Sequence, residues 1–294
     1  MDFNPTNLLT YQPANLTISM PSKRRTKVGL ALGSGGVKGL AHIGVIKVLQ
    51  QNNIPIDFIA GASIGALVGA HFAAYLDAKK MEEIALAHNW QTAFSLFDPS
   101  LGGGLLKGKK VEKLIKEWLA DNSFKSLKIP LSVVTTDLKS GREVDLAKGN
   151  LIKAVRASLS VPPVFQPVAY RSYLLADGGL CNPLPDDVVR KMGANFVITV
   201  NLDDLQFNNT NNIDSLPKIS IRALNILRRH LAQKSLQSSD LVIEPIVPEI
   251  GLVGWNKFFD NRQVSRLIKA GEKAALKALP KIKKCLKNPK FCRP

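Results

Sequence analysis

Residues 54–75 read Ile-Pro-Ile-Asp-Phe-Ile-Ala-Gly-Ala-Ser-Ile-Gly-Ala-Leu-Val-Gly-Ala-His-Phe-Ala-Ala-Tyr. The apolar run 56–60, with its β-branched residues, predicts a short buried strand, and the Ala/Gly/Leu-rich stretch after Gly65 predicts a helix. Ser63 stands at the turn between them, in Gly61-Ala62-Ser63-Ile64-Gly65, a G-x-S-x-G pattern. Glycine at both ends has a steric reason. A strand that turns sharply into a helix brings positions 61 and 65 together, and side chains there would collide. The serine oxygen is left at a helix N-terminus, where the dipole favours developing negative charge. The same five residues also describe a plain tight turn with Ser63 as the helix N-cap.

The preceding unit repeats the layout. Residues 28–32 predict a strand, Gly33-Ser34-Gly35-Gly36-Val37-Lys38-Gly39 a loop, and apolar positions 40, 43, 46 and 49, with 45 and 48, a helix. Successive glycines let backbone N–H groups converge on one anion, and the helix N-terminus adds its dipole. A dinucleotide pyrophosphate, a nucleotide phosphate and the oxyanion of an acyl-transfer intermediate all suit such a loop. Lys38 is followed by Gly39 and Leu40, so the Gly-Lys-Ser/Thr ending of a Walker loop is missing. Asp57 lies at the distance expected of a ribose-binding acid, but it precedes the Ser63 turn with a strand between. A second strand running straight into G-x-S-x-G suits an oxyanion loop beside a nucleophile better, with a dinucleotide loop as the rival.

Strands are expected at 131–136, 142–145, 173–176, 196–201 and 241–245, and helices at 79–89, 111–119, 150–158, 186–192, 219–236 and 262–286, the last interrupted at Pro280. This alternation predicts an α/β fold, a mostly parallel central sheet flanked by helices. Three domain segments follow: a disordered tail over 1–26, a catalytic domain over 27–256, and a basic C-terminal helix and tail over 257–294 that packs on or extends it. The glycine-rich segment 98–108 reads as a mobile lid or as a plain surface connection. Residues 203–214 read as a mobile loop, and 251–259 as an interfacial loop or as buried packing around Trp255.

The 294 residues carry a net charge of +17. Residues 257–294 hold 12 Lys/Arg against Asp260 and Glu272, a net of +10, which favours an anionic partner or marks a solvated helix face. Nucleic acid is disfavoured, because no recognition motif or aromatic stacking pattern accompanies the charge. No run of 18 apolar residues suggests a membrane span, and the first 22 residues lack the pattern of a secretory signal. Cys181, Cys285 and Cys292 form neither a disulfide framework nor a zinc pattern, so no metal is expected and a reducing compartment is the simplest setting. The expected location is the cytoplasm or the inner face of its membrane.

A serine hydroxyl needs a base. His42, His71 and His88 stand on helices near or after the two turns, and His230 sits in the helical run Arg228-Arg229-His230, with no loop to present it; a triad is disfavoured. A carboxylate remains. Asp177 ends a short strand and precedes Gly178-Gly179, which permits close approach to another group, although Asp-Gly-Gly is also a common turn. Such an Asp requires desolvation to become an effective base.

Gly33-Ser-Gly-Gly-Val-Lys-Gly39 with its helix, Gly61-Ala-Ser-Ile-Gly65, Arg156-Ala-Ser-Leu-Ser-Val-Pro162 and Asp177-Gly-Gly, in this order, resemble the patatin-like phospholipase family, in particular the bacterial branch related to the neuropathy target esterase catalytic domain. The likeness covers roughly 27–200. It implies a three-layer α/β sandwich and a Ser63-Asp177 dyad that cleaves carboxylic esters of phospholipids or lysophospholipids without a cofactor, and the basic C-terminal region would bring such an enzyme to an anionic membrane surface as a peripheral protein. It also implies an oxyanion hole from Gly35, Gly36, Val37 and Lys38, with Gly33, Gly39, Gly61, Gly65, Gly178 and Gly179 supporting the motifs. Ser34 departs from the glycine that many relatives carry there. A catalytically silent lipid- or protein-binding module on the same fold is the alternative. The oligomeric state is left open.

Overall fold

The computed structural model describes residues 25–87, 98, 104, 106–120, 123–203, 215–247 and 260–288. Most of the expected N-terminal tail, His88, the loops at 204–214 and 251–259 with Trp255, and Cys292 lie outside these residues.

Parallel strands β1 (Val28–Leu32), β2 (Phe58–Ala62), β3 (Leu131–Asp137), β7 (Phe196–Val200) and β8 (Leu241–Ile243) form the body of the sheet in the order β3-β2-β1-β7-β8. At the β3 side it is completed by antiparallel β4 (Arg142–Leu146), β5 (Val168–Tyr170) and β6 (Tyr173–Asp177). Alternation along the buried strands assigns side chains to two faces. Val28, Leu30, Leu32, Ile59, Phe196, Ile198 and Val200 face the larger core. There they meet α1 (Ala41–Gln51), α2 (Ile64–Tyr75), α3 (Ala78–Ala87), α4 (Lys109–Leu119), α5 (Leu151–Ser158) and α8 (Asn261–Lys287). The other face is small, with Ala31, Ala60, Ala62 and Val197 against Val188 and Val189 of α6 (Asp186–Lys191). Helices on both faces of a mostly parallel sheet make the expected three-layer α/β sandwich.

The C-terminal helix α8 runs on through Pro280, correcting the predicted interruption. It buries Val264, Leu267, Ile268, Gly271, Ala275, Ile282 and Cys285, the stripe that its periodicity marked. It crosses α1 at backbone contact: a Cβ at Gly44 would lie 2.0 Å from the Ile268 carbonyl oxygen, and one at Gly271 1.9 Å from that of Ala41. Lys47 of α1 bridges Glu272 of α8 and Glu82 of α3. Cys285 is disulfide-bonded, which runs against the reducing compartment inferred from the lack of a disulfide framework, whereas Cys181 is a free thiol.

Candidate functional site

The site lies where β2 and β6 run into each other. One edge of β3 pairs with β2 as far as Ala62 opposite Val134, then with β6 from Asp177 opposite Thr135, while β4 takes the other edge. The two strands have opposite directions, so the residue after Ala62 and the last residue of β6 meet head on. Ser63 Oγ donates to Asp177 Oδ2 at 2.6 Å across 114 residues of chain. Both side chains are almost fully buried.

The turn at Ser63 is tight for the reason its glycines suggested. A Cβ at Gly61 would stand 2.5 Å from the Gly65 carbonyl, and one at Gly65 would stand 2.2 Å from the Leu32 carbonyl oxygen. Ser63 itself has φ 55° and ψ −124°, a strained conformation for a residue with a Cβ. The alternative of an ordinary N-cap is set aside, because its side chain makes no capping bond and points to Asp177. Its backbone N–H donates to Ser158 Oγ at 2.8 Å, and Ser158 Oγ donates to the Val134 carbonyl at 2.6 Å. One buried hydroxyl thus ties the serine turn to β3.

Asp177 is held from several sides. Its N–H donates to the Ser160 carbonyl, its carbonyl accepts from Thr136 Oγ1, and Oδ1 accepts from the Gly179 N–H at 2.8 Å. Close approach explains the glycines: a Cβ at Gly178 would lie 2.2 Å from the Val134 carbonyl oxygen, and one at Gly179 2.9 Å from Asp177 Oδ1. Burial pushes the Asp177 carboxyl up to about 6, against the hydrogen bonds from Ser63 and Gly179 and the charge of Arg228, which all favour the carboxylate.

Because β1 and β2 are parallel and adjacent, with Leu32 opposite Gly61, the glycine loop leaves the sheet beside the Ser63 turn. Loop binding at the C-terminal ends of parallel strands is the general rule for open α/β sheets. Gly33 N–H donates to the Val200 carbonyl and Ser34 N–H to that of Pro183, pinning the loop's start. Gly36, at φ 57°, lines a cavity with Ser63 and Asp177. Val37, Lys38 and Gly39 continue in a buried 3-10 turn, and a Cβ at Gly39 would strike the Ile64 side chain at 2.2 Å. Asp57, the rival dinucleotide acid, sits just before β2, at the strand end remote from this loop, where it accepts from Val28 N–H and pairs with Arg25.

The histidines have other occupations. His42 is fully buried, with Nε2 on the Gly33 carbonyl at 2.8 Å, and desolvation lowers it to about 4. A neutral ring thereby braces the glycine loop. His71 packs against Tyr75 and Trp118 and is likewise lowered to about 4, first by burial.

Sequence reasoning missed the roof of the cavity. Helix α7 (Leu216–Ser235) contributes Leu224, Asn225, Leu227, Arg228 and Leu231 to a space of about 110 Å³ above Ser63. Its sequence predicted a helix with a basic run and gave no sign of a place over the site, which only the helix-to-site contact reveals. Asp203, expected in a mobile loop, is buried and binds Arg228 through both carboxylate oxygens, at 3.1 and 2.6 Å. The described members of segment 98–108 are pinned. Leu106 N–H donates to the Val164 carbonyl, and buried Arg156 donates to the Lys107 and Gly108 carbonyls and to Ser160 Oγ. Among the described residues no cluster of three or more His, Cys, Asp or Glu suits a metal ion, and no helix is long and apolar enough to cross a membrane.

The family model for patatin-like phospholipases matches residues 30–189. An uncharacterised NTE family protein of Mycobacterium tuberculosis is 35% identical over 219 residues, 74% of this chain and 60% of that protein. The chain therefore spans less than two thirds of the length of that relative. Neuropathy target esterase sws of Drosophila melanogaster is 32% identical over 195 residues, 62% of this chain and 13% of its own length. Among solved structures, VipD from Legionella pneumophila superposes with a TM-score of 0.52 at 14% identity, over 87% of this chain and 67% of that one, which supports the fold alone.

Proposed function

From the premise that this chain belongs to the patatin-like phospholipase family, we propose that it is a serine acyl hydrolase that cleaves carboxylic esters of phospholipids or lysophospholipids. The observation that carries this reading is the 2.6 Å hydrogen bond from Ser63 Oγ to a buried Asp177 whose carboxyl is raised to about 6. A carboxylate near its ordinary value of 3.8 is a poor base at neutral pH; raised to about 6, it is ionised at pH 7 yet has appreciable proton affinity.

In the proposed cycle Ser63 Oγ attacks the ester carbonyl as its proton passes to Asp177. The tetrahedral oxyanion collapses, the C–O bond to the alcohol breaks, and Asp177 returns the proton to the leaving oxygen. Water then attacks the acyl-enzyme as Asp177 again takes the proton, the bond between the acyl carbon and Ser63 Oγ breaks, Asp177 returns the proton to Ser63 Oγ, and the fatty acid leaves. Backbone N–H groups of Gly35, Gly36 and Val37 are the proposed oxyanion donors, with Lys38 adding positive charge from the buried turn. Each donor of this kind is worth roughly 2.7–4 kcal/mol. Residues 27–256 carry this chemistry, and 257–294 extend the same domain.

A lipid surface as partner is supported by two features. Helix α7, which borders the cavity, exposes Leu216, Ile219 and Leu227, the last of which also lines the cavity. Helix α8 turns Arg262, Arg266, Lys269, Lys273, Lys277 and Lys281 to solvent. We place the protein peripherally on an anionic membrane. Binding to anionic vesicles then weakens steeply with salt, and binding indifferent to salt refutes that placement.

The deciding experiment is intact mass after a fluorophosphonate probe on wild type, Ser63→Ala and Asp177→Asn. One adduct on wild type, absent in Ser63→Ala and sharply reduced in Asp177→Asn, supports the dyad. No adduct on folded wild type returns the chain to a silent binding module.

A further inference from the structure

Arg228 is the one cation among the described residues that line the cavity over Ser63 and Asp177. A guanidinium presents its five N–H groups along two edges, each a fork that matches two oxygens of one anion. The side edge is taken: Nε donates to Asp203 Oδ2 and Nη2 to Asp203 Oδ1. Asp203 is nearly inaccessible, with 2% of its side chain exposed, whereas Arg228 keeps 15%. The end edge, formed by Nη1 and the second N–H of Nη2, makes no hydrogen bond to a described residue, and Arg228 lines the cavity. Asp203 thus fixes the direction of the guanidinium as well as neutralising part of its charge. Asn225, one turn earlier on α7, lines the same cavity and adds an amide.

This arrangement has a chemical consequence for the substrate. A lipid phosphate approaching the ionised Asp177 meets a like charge, and a neutral wall would leave that repulsion uncompensated. A cation oriented from behind by a buried carboxylate offsets it and offers paired donors to two phosphate oxygens. We propose that the end edge of Arg228, held in place by Asp203, is a phosphate subsite that selects phosphate-bearing lipid esters over neutral glycerides at the Ser63 site. The assignment rests on the reading of Ser63 and Asp177 as an ester-cleaving pair, and it specifies what that pair acts on.

Two measurements separate the subsite from that reading. The first needs no catalysis: isothermal titration of sn-glycerol 3-phosphate, with glycerol as the control. Wild type binds the phosphate and not glycerol. Arg228→Lys, which retains charge but loses the fork, binds about 10–100-fold more weakly, the range expected for a charge-assisted hydrogen bond. Asp203→Asn, which removes the carboxylate that fixes the direction of the guanidinium, also binds more weakly. The second compares kcat/KM for 1-octanoyl-glycerol 3-phosphate and 1-octanoyl-glycerol. Their ratio falls in Arg228→Lys by a similar factor, whatever loss the two esters share. Overturning results are wild type that fails to distinguish glycerol 3-phosphate from glycerol, or an affinity indifferent to both substitutions. If wild type binds the phosphate but cleaves neither ester, the subsite stands and the hydrolase reading falls. Should Arg228→Lys fail to fold, the titration of Asp203→Asn decides, since an affinity equal to or tighter than that of wild type overturns the proposal.

Discussion

Lowering the pH probes the Asp177 carboxylate without touching the chain. Burial raises this group from the ordinary 3.8 to about 6. The gap corresponds to about 3 kcal/mol of net preference for the neutral form, after the opposing hydrogen bonds and Arg228 have acted. If the carboxylate takes the serine proton, the labelling rate with a fluorophosphonate follows its ionised fraction. Near pH 5 that fraction is about one tenth, so labelling runs about tenfold below its plateau; an ordinary carboxyl would still be more than nine tenths ionised. The assay is the second-order labelling rate from pH 4.5 to 8, read by intact mass, with circular dichroism at each pH to certify the fold. A midpoint near 4, or a rate flat down to pH 5 on folded protein, refutes the reasoning. The linked stability has a definite sign. Between about 3.8 and 6 the folded state holds the Asp177 proton more tightly than the unfolded chain, so this group's contribution declines as pH rises through that window.

His42 acts in the opposite direction. Its buried ring is lowered from 6.5 to about 4, so its contribution is full above 6.5 and is lost as pH falls toward 4. Relative to pH 7, about 2 kcal/mol is missing at pH 5. His42→Gln, which keeps a donor for the Gly33 carbonyl, removes that part of the slope in urea melts, and equal slopes for the two proteins contradict it. Ser158→Ala orphans the Ser63 N–H and the Val134 carbonyl, at about 1–3 kcal/mol by thermal melt, and slows labelling of Ser63. Gly65→Ala forces a Cβ to within 2.2 Å of the Leu32 carbonyl oxygen, so soluble folded protein is lost or the elbow opens and labelling disappears; normal folding with normal labelling counts against the steric account. Gly44→Val presses on the Ile268 carbonyl, and the α8 helix becomes sensitive to limited proteolysis while Ser63 labelling persists.

Some of this was written locally in the chain. Glycine punctuation and apolar periodicity located the Ser63 turn, the loop at 33–39 and most strands and helices to within a few residues, because both depend on sterics between near neighbours. The pairing stripe of α8 was also visible, although Pro280 misled, since a long amphipathic helix packed on α1 tolerates the residue that would end an exposed one. Three-residue β5 carried too short a pattern to be noticed.

The union of Ser63 with Asp177 is different. Residue types and spacing made each a candidate, but their meeting depends on β2 and β6 sharing one edge of β3, a register that no local pattern encodes. The same holds for Ser158 and Thr136, whose bonds to the Ser63 N–H and the Asp177 carbonyl exist only once the sheet is assembled. Arg228 and Asp203 lie 25 residues apart, a separation that says nothing of their contact. What the sequence by itself determined is where the backbone must bend and which faces must be covered. Which carboxylate becomes buried enough to serve as a base, and which arginine looks into its cavity, only the tertiary structure decided, because desolvation and charge pairing are properties of the assembled surroundings rather than of any one residue.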